Sequence, residues 1–394
     1  MRIDEWMQAL LPLQVWNNMG NFSSSSTDSP DGKSFRLFGY PLAHSASPAF
    51  HNEIFKAMGT DKHYSIYSTS KVIPGMLDEI RSDNLGGAAV TMPLKSAIIP
   101  YLDGISPESQ ATGAVNTLVK VPSPSENGTC SIIGTNTDIL GVKNALLKYL
   151  RQQHPDVLIS NSSRYPENLG GAGVVFGGGA TTRSAVYALH TIGLHPIYLV
   201  NRDVDEVAQV RANFPDLVKA GSLVHLTSPT LVEELLAQPT SPKVLMIVGA
   251  IPAIAPKTKE ERMVYTTASH ILTIPYEPLV VPEGSVDSLP IPMKRLFLEM
   301  AYKPRLTPML QVATAHGWEP IVGTEAMLEQ GYAQQRMWIR GDPSMATGSD
   351  PTILGEEVEK RAADLIAGLG DIVVKEAEID RAASIDAAPI PKLN

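Results

Sequence analysis

Two short segments near the start of the chain carry hydroxyl and amine groups that could bind a carboxylate and move a proton. Residues 45–48 (SASP) place Ser45 and Ser47 two positions apart, so that both hydroxyls point the same way in an extended backbone. Such a pair near a helix start can bind a carboxylate, although the two serines could also cap the helix. Residues 90–95 (VTMPLK) follow an apolar stretch and contain Thr91 and Lys95. A lysine can accept a proton where its surroundings lower its pKa, but a lone lysine is usually a solvated surface residue.

Two further polar segments lie at the ends of apolar stretches. They are residues 113–117 (GAVNT), which contain Asn116, and residues 134–138 (GTNTD), which contain Asp138. Each could contribute polar groups to a site. Each could also be a turn in which the Asn or Asp side chain bonds its own backbone.

A glycine-rich loop lies in the middle of the chain. Gly177, Gly178 and Gly179 follow an apolar stretch (GAGVVF) and precede a helical pattern (TTRSAVYALHTIG). A turn of this kind lets backbone amides approach a pyrophosphate at the positive end of the helix. The third glycine of the dinucleotide-binding pattern is replaced by Thr182, and glycine triplets also occur in ordinary tight turns.

The next apolar stretch ends in residues 201–206 (NRDVDE), which bear on the choice of cofactor. An acidic residue here can bond ribose hydroxyls, whereas the 2′-phosphate of NADP needs positive charge. Arg202 could supply that charge or stack on adenine, but Asp203, Asp205 and Glu206 would repel a phosphate. The segment therefore favours NAD over NADP, and its alternative interpretation is an ordinary solvated helix start.

The elements that must position these residues follow from the apolar periodicity. Short apolar stretches alternate with helical patterns from residue 35 onward, which predicts an α/β fold whose second half contains a parallel sheet. We expect a β-hairpin at residues 114–137 and helices at 139–151, 181–193, 204–214 and 324–339. A further helix is predicted near residues 356–368. Strands are expected at residues 35–40, 63–69, 85–92, 171–176, 195–202, 223–228, 243–250 and 295–302.

The composition excludes several classes of protein. The 394 residues are 43% hydrophobic and 19% charged, as in globular proteins, and the net charge of −9 argues against a nucleic-acid partner. The most apolar segment, residues 244–256, is too short to span a membrane. Cys130 is the only cysteine, which rules out an intramolecular disulfide. The N-terminus fits neither a secretory signal nor a transit peptide, so we expect a cytoplasmic protein.

Taken in order, the motifs resemble those of the shikimate/quinate dehydrogenase family. That family has Ser-x-Ser-Pro, Val-Thr-x-Pro-x-Lys, Gly-Ala-x-Asn-Thr and Asn-Thr-Asp-x-x-Gly segments, followed by the glycine loop. Residues 300–308 (MAYKPRLTP) resemble its Tyr-x-Pro…Thr-Pro segment, and residues 323–330 (GTEAMLEQ) resemble its closing helix. The match spans residues 35–340, and the amino-acid sequence of this region resembles that of fungal members of the family.

The resemblance implies two domains. A flexible extension (1–33) would precede an α/β substrate domain (34–140 and 323–340). A Rossmann-like, parallel-sheet cofactor domain (141–322) would face it across the active-site cleft. Residues 341–394 would form a polar tail that carries the helix near residues 356–368.

The resemblance also implies roles for individual residues. Lys95 and Asp138 would be the catalytic pair, with Lys95 accepting the hydroxyl proton while the nicotinamide takes the hydride, so that no metal is needed. The substrate would be bound by Ser45 and Ser47 at its carboxylate, by Thr91, Asn116 and Gln330 at its ring hydroxyls, and by Tyr302 at the wall of the site. The cofactor would be bound by Gly177, Gly178, Gly179, Ala180, Arg183, Asn201, Arg202 and Asp203.

Three departures from the family pattern bear on the cofactor. The glycine loop reads GGGATTR, with Ala180 where the family has glycine and with Arg183 retained. NADP-using members have Thr and Arg at the positions of Asp203 and Glu206. The usual Asn-x-Thr/Ser-Pro wall segment is replaced by residues 249–252 (GAIP).

These observations predict an NAD-dependent quinate/shikimate dehydrogenase that oxidises a ring hydroxyl of a cyclohexane or cyclohexene carboxylate to the 3-dehydro ketone. One alternative is NADPH-dependent reduction of 3-dehydroshikimate to shikimate. Another is a non-catalytic ligand-sensing relative, against which the retention of Lys95 and Asp138 argues. We expect a small-molecule substrate, quinate or shikimate, with no nucleic-acid or membrane partner, and a monomer or homodimer.

Overall fold

The computed structural model describes residues 32–42, 45–122, 130–166, 169–278 and 288–370. The expected N-terminal extension, residues 1–33, lies almost entirely outside these ranges, as do residues 371–394 of the expected tail. Within the described residues the strands form two six-stranded sheets with helices packed against them. The predicted α/β class, with two domains of which the second is Rossmann-like, is confirmed.

The first sheet is mixed. Its strands, in the spatial order β2-β1-β3-β5-β6-β4, are β1 (Ser34–Gly39), β2 (His63–Ser68), β3 (Leu85–Val90), β4 (Gly104–Ile105), β5 (Thr117–Pro122) and β6 (Cys130–Thr135). β1 pairs in parallel with β2 and β3, whereas β5 runs antiparallel to both β3 and β6. Because β5 is antiparallel, its first residue lies at the same edge of the sheet as the last residues of β3 and β6.

The second sheet is entirely parallel. In the order β12-β11-β10-β7-β8-β9 it contains β7 (Gly171–Phe176), β8 (Ile197–Val200), β9 (Leu223–His225), β10 (Lys243–Gly249), β11 (Leu296–Glu299) and β12 (Glu319–Ile321). All residues of β7 and β8 are buried, as expected for strands covered by helices on both faces. The strand order reverses between β7 and β10. In doubly wound sheets, ligands bind at the carboxyl ends of the strands beside this switch point.

The helices of eight or more residues cover the sheets and connect them. They are α1 (Ser47–Ala57), α2 (Pro74–Arg81), α5 (Asp138–Gln153), α6 (Ala180–Ile192), α7 (Val204–Ala212), α10 (Lys259–Thr273), α11 (Pro308–Ala315), α12 (Gly323–Arg340) and α14 (Glu356–Gly368). The shorter ones are α3 (Leu94–Ala97), α4 (Pro107–Thr112), α8 (Pro215–Lys219), α9 (Pro229–Leu235) and α13 (Met345–Gly348). None of the helices in the described part of the chain is long and apolar enough to cross a membrane.

Helix α5 connects the two sheets and fixes the position of α12. It packs against α12 on one side and against α6 on the other. A Cβ on Gly141 would lie 2.7 Å from the Ala326 carbonyl oxygen and 3.0 Å from Gln330 Cβ. The absence of a side chain at Gly141 therefore lets α12 approach closely, and this brings Gln330 to the start of α5.

Candidate active site

Three segments converge at one edge of the first sheet. Lys95 lies on α3, just beyond the end of β3; Asn116 immediately precedes β5; and Asp138 begins α5, after β6. Backbone hydrogen bonds hold the segments together, since the Val115 N–H donates to the Lys95 carbonyl at 2.8 Å and the Asn116 N–H to the Thr135 carbonyl at 3.1 Å. The antiparallel β5 is thus the element that brings the three functional groups together.

Lys95 and Asp138 form a close ion pair. Lys95 Nζ lies 2.5 Å from Asp138 Oδ2, and the side chains are 15% and 11% exposed, respectively. Asn116 Nδ2 donates to the other carboxylate oxygen, Asp138 Oδ1, at 2.7 Å. Both oxygens of Asp138 are therefore engaged, and the carboxylate holds Lys95 in one orientation.

Neighbouring groups fix the orientation of the Asn116 amide. Its Oδ1 accepts hydrogen bonds from the Thr137 N–H at 2.8 Å and from Thr117 Oγ1 at 2.7 Å, so its NH₂ group must face Asp138. Gln330 Oε1 accepts from Asn116 Nδ2 at 3.5 Å and from Thr137 Oγ1 at 3.3 Å. Lys95, Asn116, Asp138 and Gln330 thus form one polar cluster.

A buried network behind this cluster positions α12. Gln334 Nε2 donates to Thr117 Oγ1 at 3.0 Å, and Gln334 Oε1 lies 3.2 Å from His51 Nε2. Gln335 Nε2 lies 2.8 Å from His51 Nδ1 and must donate to it, which leaves the His51 proton on Nε2. Burial lowers the pKa of His51 to about 3, so the ring is neutral and its role is structural.

The expected carboxylate-binding residues form a second group. Ser45 and Ser47 are half-buried at the start of α1, and Ser45 Oγ accepts from the Ser47 N–H at 3.3 Å. The N-cap of α1 is Ala46, which has no side-chain cap, so the serines do not act as the N-cap residue. Ala46 and Tyr302 pack against the same apolar cluster. Burial raises the pKa of Tyr302, and the neighbouring Ala46 backbone lowers it in part. Tyr302 therefore lies beside the two serines.

Thr91 lies at the same end of the first sheet. Its N–H donates to the Phe38 carbonyl at 2.8 Å, which places it directly after β3 and next to the end of β1. A Cβ on Gly39 would lie 2.5 Å from Thr91 Cγ2, so the two residues are in close contact. Thr91 is half-buried.

The glycine loop lies at the switch point of the second sheet and forms a tight cradle. A Cβ on Gly178 would lie 2.1 Å from Asn201 Nδ2 and 2.4 Å from Glu206 Oε2. A Cβ on Gly179 would have no heavy atom within 4 Å. Gly179 is also the N-cap of α6, which begins at Ala180, and no side chain caps this helix. The first turn of α6 therefore has no side-chain cap, and the space beside Gly179 is open, an arrangement suited to a pyrophosphate.

The residues after β8 are occupied by local contacts. Asp203 is the N-cap of α7, and its Oδ1 accepts from the Asp205 and Glu206 N–H groups at 2.8 and 3.1 Å. Asn201 Nδ2 donates to Glu206 Oε2 at 2.7 Å. Arg202 is paired with Glu261 on α10. Asp203 thus caps α7, as expected if this segment is an ordinary helix start. The charged residues around it are mostly acidic.

Arg183 faces the first sheet. Its Nε donates to the Thr112 carbonyl at 2.5 Å, and its Nη2 donates to Ser96 Oγ at 3.1 Å. Asn136 makes a similar bridge, since its Nδ2 donates to Thr112 Oγ1 and to Ser184 Oγ, each at 3.0 Å. Both residues connect α6 to the segments that carry Lys95 and Asp138. The expected cofactor role of Arg183 stays a prediction.

Sequence reasoning did not single out Glu261 and Glu299. Thr258 and Glu261 form a capping box at the start of α10, a pattern visible in the sequence, but nothing there points to the pairing with Arg202. Glu299 ends β11, and its Oε1 lies 2.7 Å from where a Cβ on Gly249 would be. Burial raises the pKa of Glu299 to about 7.

Comparison with known proteins covers the part of the chain that carries Ser45, Lys95 and Asn116. Residues 37–118 match the family model of the shikimate dehydrogenase substrate binding domain. Among solved structures, the chain is similar to the dehydroquinate dehydratase and shikimate dehydrogenase from S. pombe AroM. The sequence identity is 26% and the TM-score 0.60 over 84% of this chain. This chain covers 53% of that protein and so spans about half its length.

Two further structures match over nearly their whole length. Quinate dehydrogenase from Corynebacterium glutamicum in complex with NAD is 20% identical, with a TM-score of 0.60 over 86% of this chain and 100% of the other. Shikimate 5-dehydrogenase from Thermus thermophilus in complex with NADP(H) and shikimate is 25% identical, with a TM-score of 0.56 over 84% and 99%. The chain therefore carries the substrate-binding domain of the shikimate dehydrogenases and has the fold of the shikimate/quinate dehydrogenases, which are NAD(P)-dependent oxidoreductases.

Proposed function

We propose that this chain is an NAD-dependent quinate/shikimate dehydrogenase that oxidises one ring hydroxyl to the 3-dehydro ketone. The observation that carries the proposal is the Lys95–Asp138 ion pair, with Nζ and Oδ2 2.5 Å apart and Asn116 bonded to the second carboxylate oxygen. A proton carrier held in one orientation at the edge of a cleft is what alcohol oxidation requires of the protein.

The glycine loop has the features that a dinucleotide needs. Gly178 is crowded by Asn201 and Glu206, so a side chain there would close the cradle, whereas the space at Gly179 is open. The uncapped first turn of α6 offers backbone amides and a positive dipole end to a pyrophosphate. We propose that residues 177–180 hold the cofactor's phosphates and that the segment beginning at Asn201 faces its adenosine ribose.

The proton steps belong to Lys95 and Asp138. When bound, a nicotinamide would take the hydride from the ring carbon during oxidation and supply it during reduction. Lys95 would accept the hydroxyl proton during oxidation and return a proton to the carbonyl oxygen during reduction. Asp138 orients Lys95, and Asn116 keeps the Asp138 carboxylate from rotating because it bonds Oδ1.

The substrate is proposed to lie between the two polar groups. Ser45 and Ser47 would bind the ring carboxylate, and Tyr302, which packs against the same cluster as Ala46, would close that end. Thr91, Asn116 and Gln330 would bond the ring hydroxyls. Several donors that converge on one small molecule orient it, and this favours a polyhydroxylated ring acid.

The preference for NAD over NADP is proposed from the charges after β8. Arg202 is engaged by Glu261, and Glu206 lies against Gly178 and Asn201. A 2′-phosphate near Arg202 would meet the carboxylates of Glu206 and Glu261, and these like charges would repel it. A ribose hydroxyl meets no such repulsion and can donate to a carboxylate.

Initial rates at 340 nm with quinate and shikimate, each with NAD and NADP, test the proposal. Reduction of NAD with quinate at neutral pH, with a lower rate for NADP, is the expected result. Activity only with NADP and shikimate would favour the reductive alternative and refute the cofactor assignment. Absence of turnover in all four combinations, in folded protein, would overturn the proposed reaction.

A further inference from the structure

The C-terminal helix α14 packs against the helix that begins at the carboxylate-binding serines. Ala362 and Ile366 of α14 are buried in a cluster that includes Phe50 and Ile54 of α1. Arg361 Nη2 lies 2.6 Å from Glu53 Oε1, which joins the same two helices at their surface. The described part of the tail is thus integrated into the first domain next to α1.

The same helix is also bonded to a loop that follows β11 of the second sheet. Arg305 lies in this loop, and its guanidinium donates to three carbonyls at the end of α14. The distances are 2.6 Å to Ile366 O, 2.9 Å to Ala367 O and 2.8 Å to Leu369 O. The last carbonyls of a helix lack partners within the helix and carry its negative dipole end, so a guanidinium is well suited to them.

Arg305 lies three residues after Tyr302, which contacts the carboxylate-binding segment. Ala46, which lies between Ser45 and Ser47, and Tyr302 both pack against the apolar cluster shared by α1 and α14. Residues 302–305 therefore contact the first domain at two points, the start of α1 and the end of α14.

We propose that Arg305 is a positioning residue that holds Tyr302 against the carboxylate site through the C-terminal helix. Because α14 is packed on α1 and Arg305 is bonded to α14, the loop of residues 300–307 cannot move away from Ser45 and Ser47 without breaking three hydrogen bonds. The arrangement sets how closely the two domains approach at the carboxylate end of the cleft. This inference rests on the proposed function, since it assigns the carboxylate of the ring acid to that end.

The first test compares Arg305→Gln with Arg361→Gln as the matched control. Both variants remove one arginine that contacts or lies on α14, but only Arg305 connects α14 to the loop that carries Tyr302. We expect Arg305→Gln to raise KM for quinate about tenfold, with kcat and KM for NAD within about twofold of wild type. The reason is that losing the Arg305 hydrogen bonds to α14 should loosen Tyr302 and weaken binding of the substrate carboxylate only. Arg361→Gln should leave all three constants unchanged. Arg305→Lys, which keeps the charge and some of the bonds, should give an intermediate KM.

A second measurement does not depend on turnover. Amide hydrogen exchange at Ala46 reports how tightly the segment beside Tyr302 is held, because loss of the Tyr302 packing would open the start of α1 to water. We expect exchange at Ala46 to accelerate in Arg305→Gln and in Tyr302→Ala, and to stay at the wild-type rate in Arg361→Gln. Unchanged exchange at Ala46 and an unchanged KM in Arg305→Gln would overturn the inference. If wild type turns over none of the four substrate and cofactor pairs, the proposed function fails, and the exchange rates alone decide whether Arg305 positions Tyr302.

Discussion

Replacement of Lys95 by alanine tests the proposed chemistry most directly. Lys95 Nζ is the group 2.5 Å from Asp138 Oδ2, and alanine removes both the proton carrier and the positive charge. General acid–base catalysis by a positioned side chain contributes about 10²- to 10⁴-fold, so we expect kcat for quinate oxidation to fall by about that factor. Binding of NAD should be unaffected, because the glycine loop lies on the second domain.

The fold should survive this change. Asp138 keeps its hydrogen bond from Asn116 Nδ2 at 2.7 Å and stands in the first turn of α5, where the helix dipole favours a carboxylate. The unpaired carboxylate at the edge of the cleft can recruit water, so we expect a loss of about 1–2 kcal/mol in the free energy of unfolding rather than the larger loss found for fully buried pairs. A loss of this size lowers Tm by only about 2–6 °C.

Lys148→Ala is the matched control for Lys95→Ala. Lys148 lies on α5, the helix that begins at Asp138, and its Nζ lies 2.7 Å from Glu325 Oε2, so this variant removes the same charge from a different ion pair. Steady-state rates at 340 nm, Tm and NAD affinity would be measured for both variants. A Lys95→Ala enzyme with kcat within threefold of wild type would remove Lys95 from the mechanism. Comparable losses of kcat in both variants would indicate a general effect of charge.

The parallel sheet in the second half of the chain could be predicted from periodicity alone. Parallel strands covered on both faces must be apolar throughout, and β7, β8 and β10 appear in the sequence as uninterrupted apolar stretches. The helices predicted at residues 181–193 and 324–339 correspond to α6 and α12. The two-residue strand β4 and the three-residue strand β12 are too short to produce a periodic signal, and they were not predicted.

The residues of the candidate site could be named from the sequence, but their arrangement in space could not be predicted. Lys95, Asn116 and Asp138 were singled out from motif resemblance, and spacing alone left each of them as a possible turn or surface residue. Their convergence depends on β5 running antiparallel between β3 and β6, which is a property of the sheet as a whole. A hairpin prediction pairs β5 with β6, but it does not say which strand lies on the other side.

Single side-chain pairs between distant segments could not be predicted. Arg202 and Glu261 are 59 residues apart, Arg183 and Thr112 are 71 apart, and Arg305 bonds residues about 60 positions away. Each pair depends on the packing of several elements, so neither residue type nor local pattern identifies the partner. These long-range contacts nevertheless determine the orientation of each arginine side chain and therefore which groups it can bind.

Two further substitutions test the charges around the second sheet. Glu261→Gln should release Arg202 and raise the kcat/KM ratio of NADP to NAD about tenfold, with tighter binding of adenosine 2′,5′-bisphosphate by calorimetry. The exposed neighbour Glu260→Gln is the control, and an unchanged ratio would contradict the charge argument. Glu299 has its pKa raised by burial from 4.5 to about 7, so the native state holds its proton more tightly than the unfolded chain does. Wild-type stability should therefore decline as pH rises from about 4.5 to about 7, by about 3 kcal/mol at most, and then level off. Glu299→Gln cannot lose a proton, so its free energy of unfolding relative to wild type should be higher at pH 8 than at pH 5. A relative stability that is the same at both pH values, in urea unfolding, would show that Glu299 is ionised in the folded protein across this range.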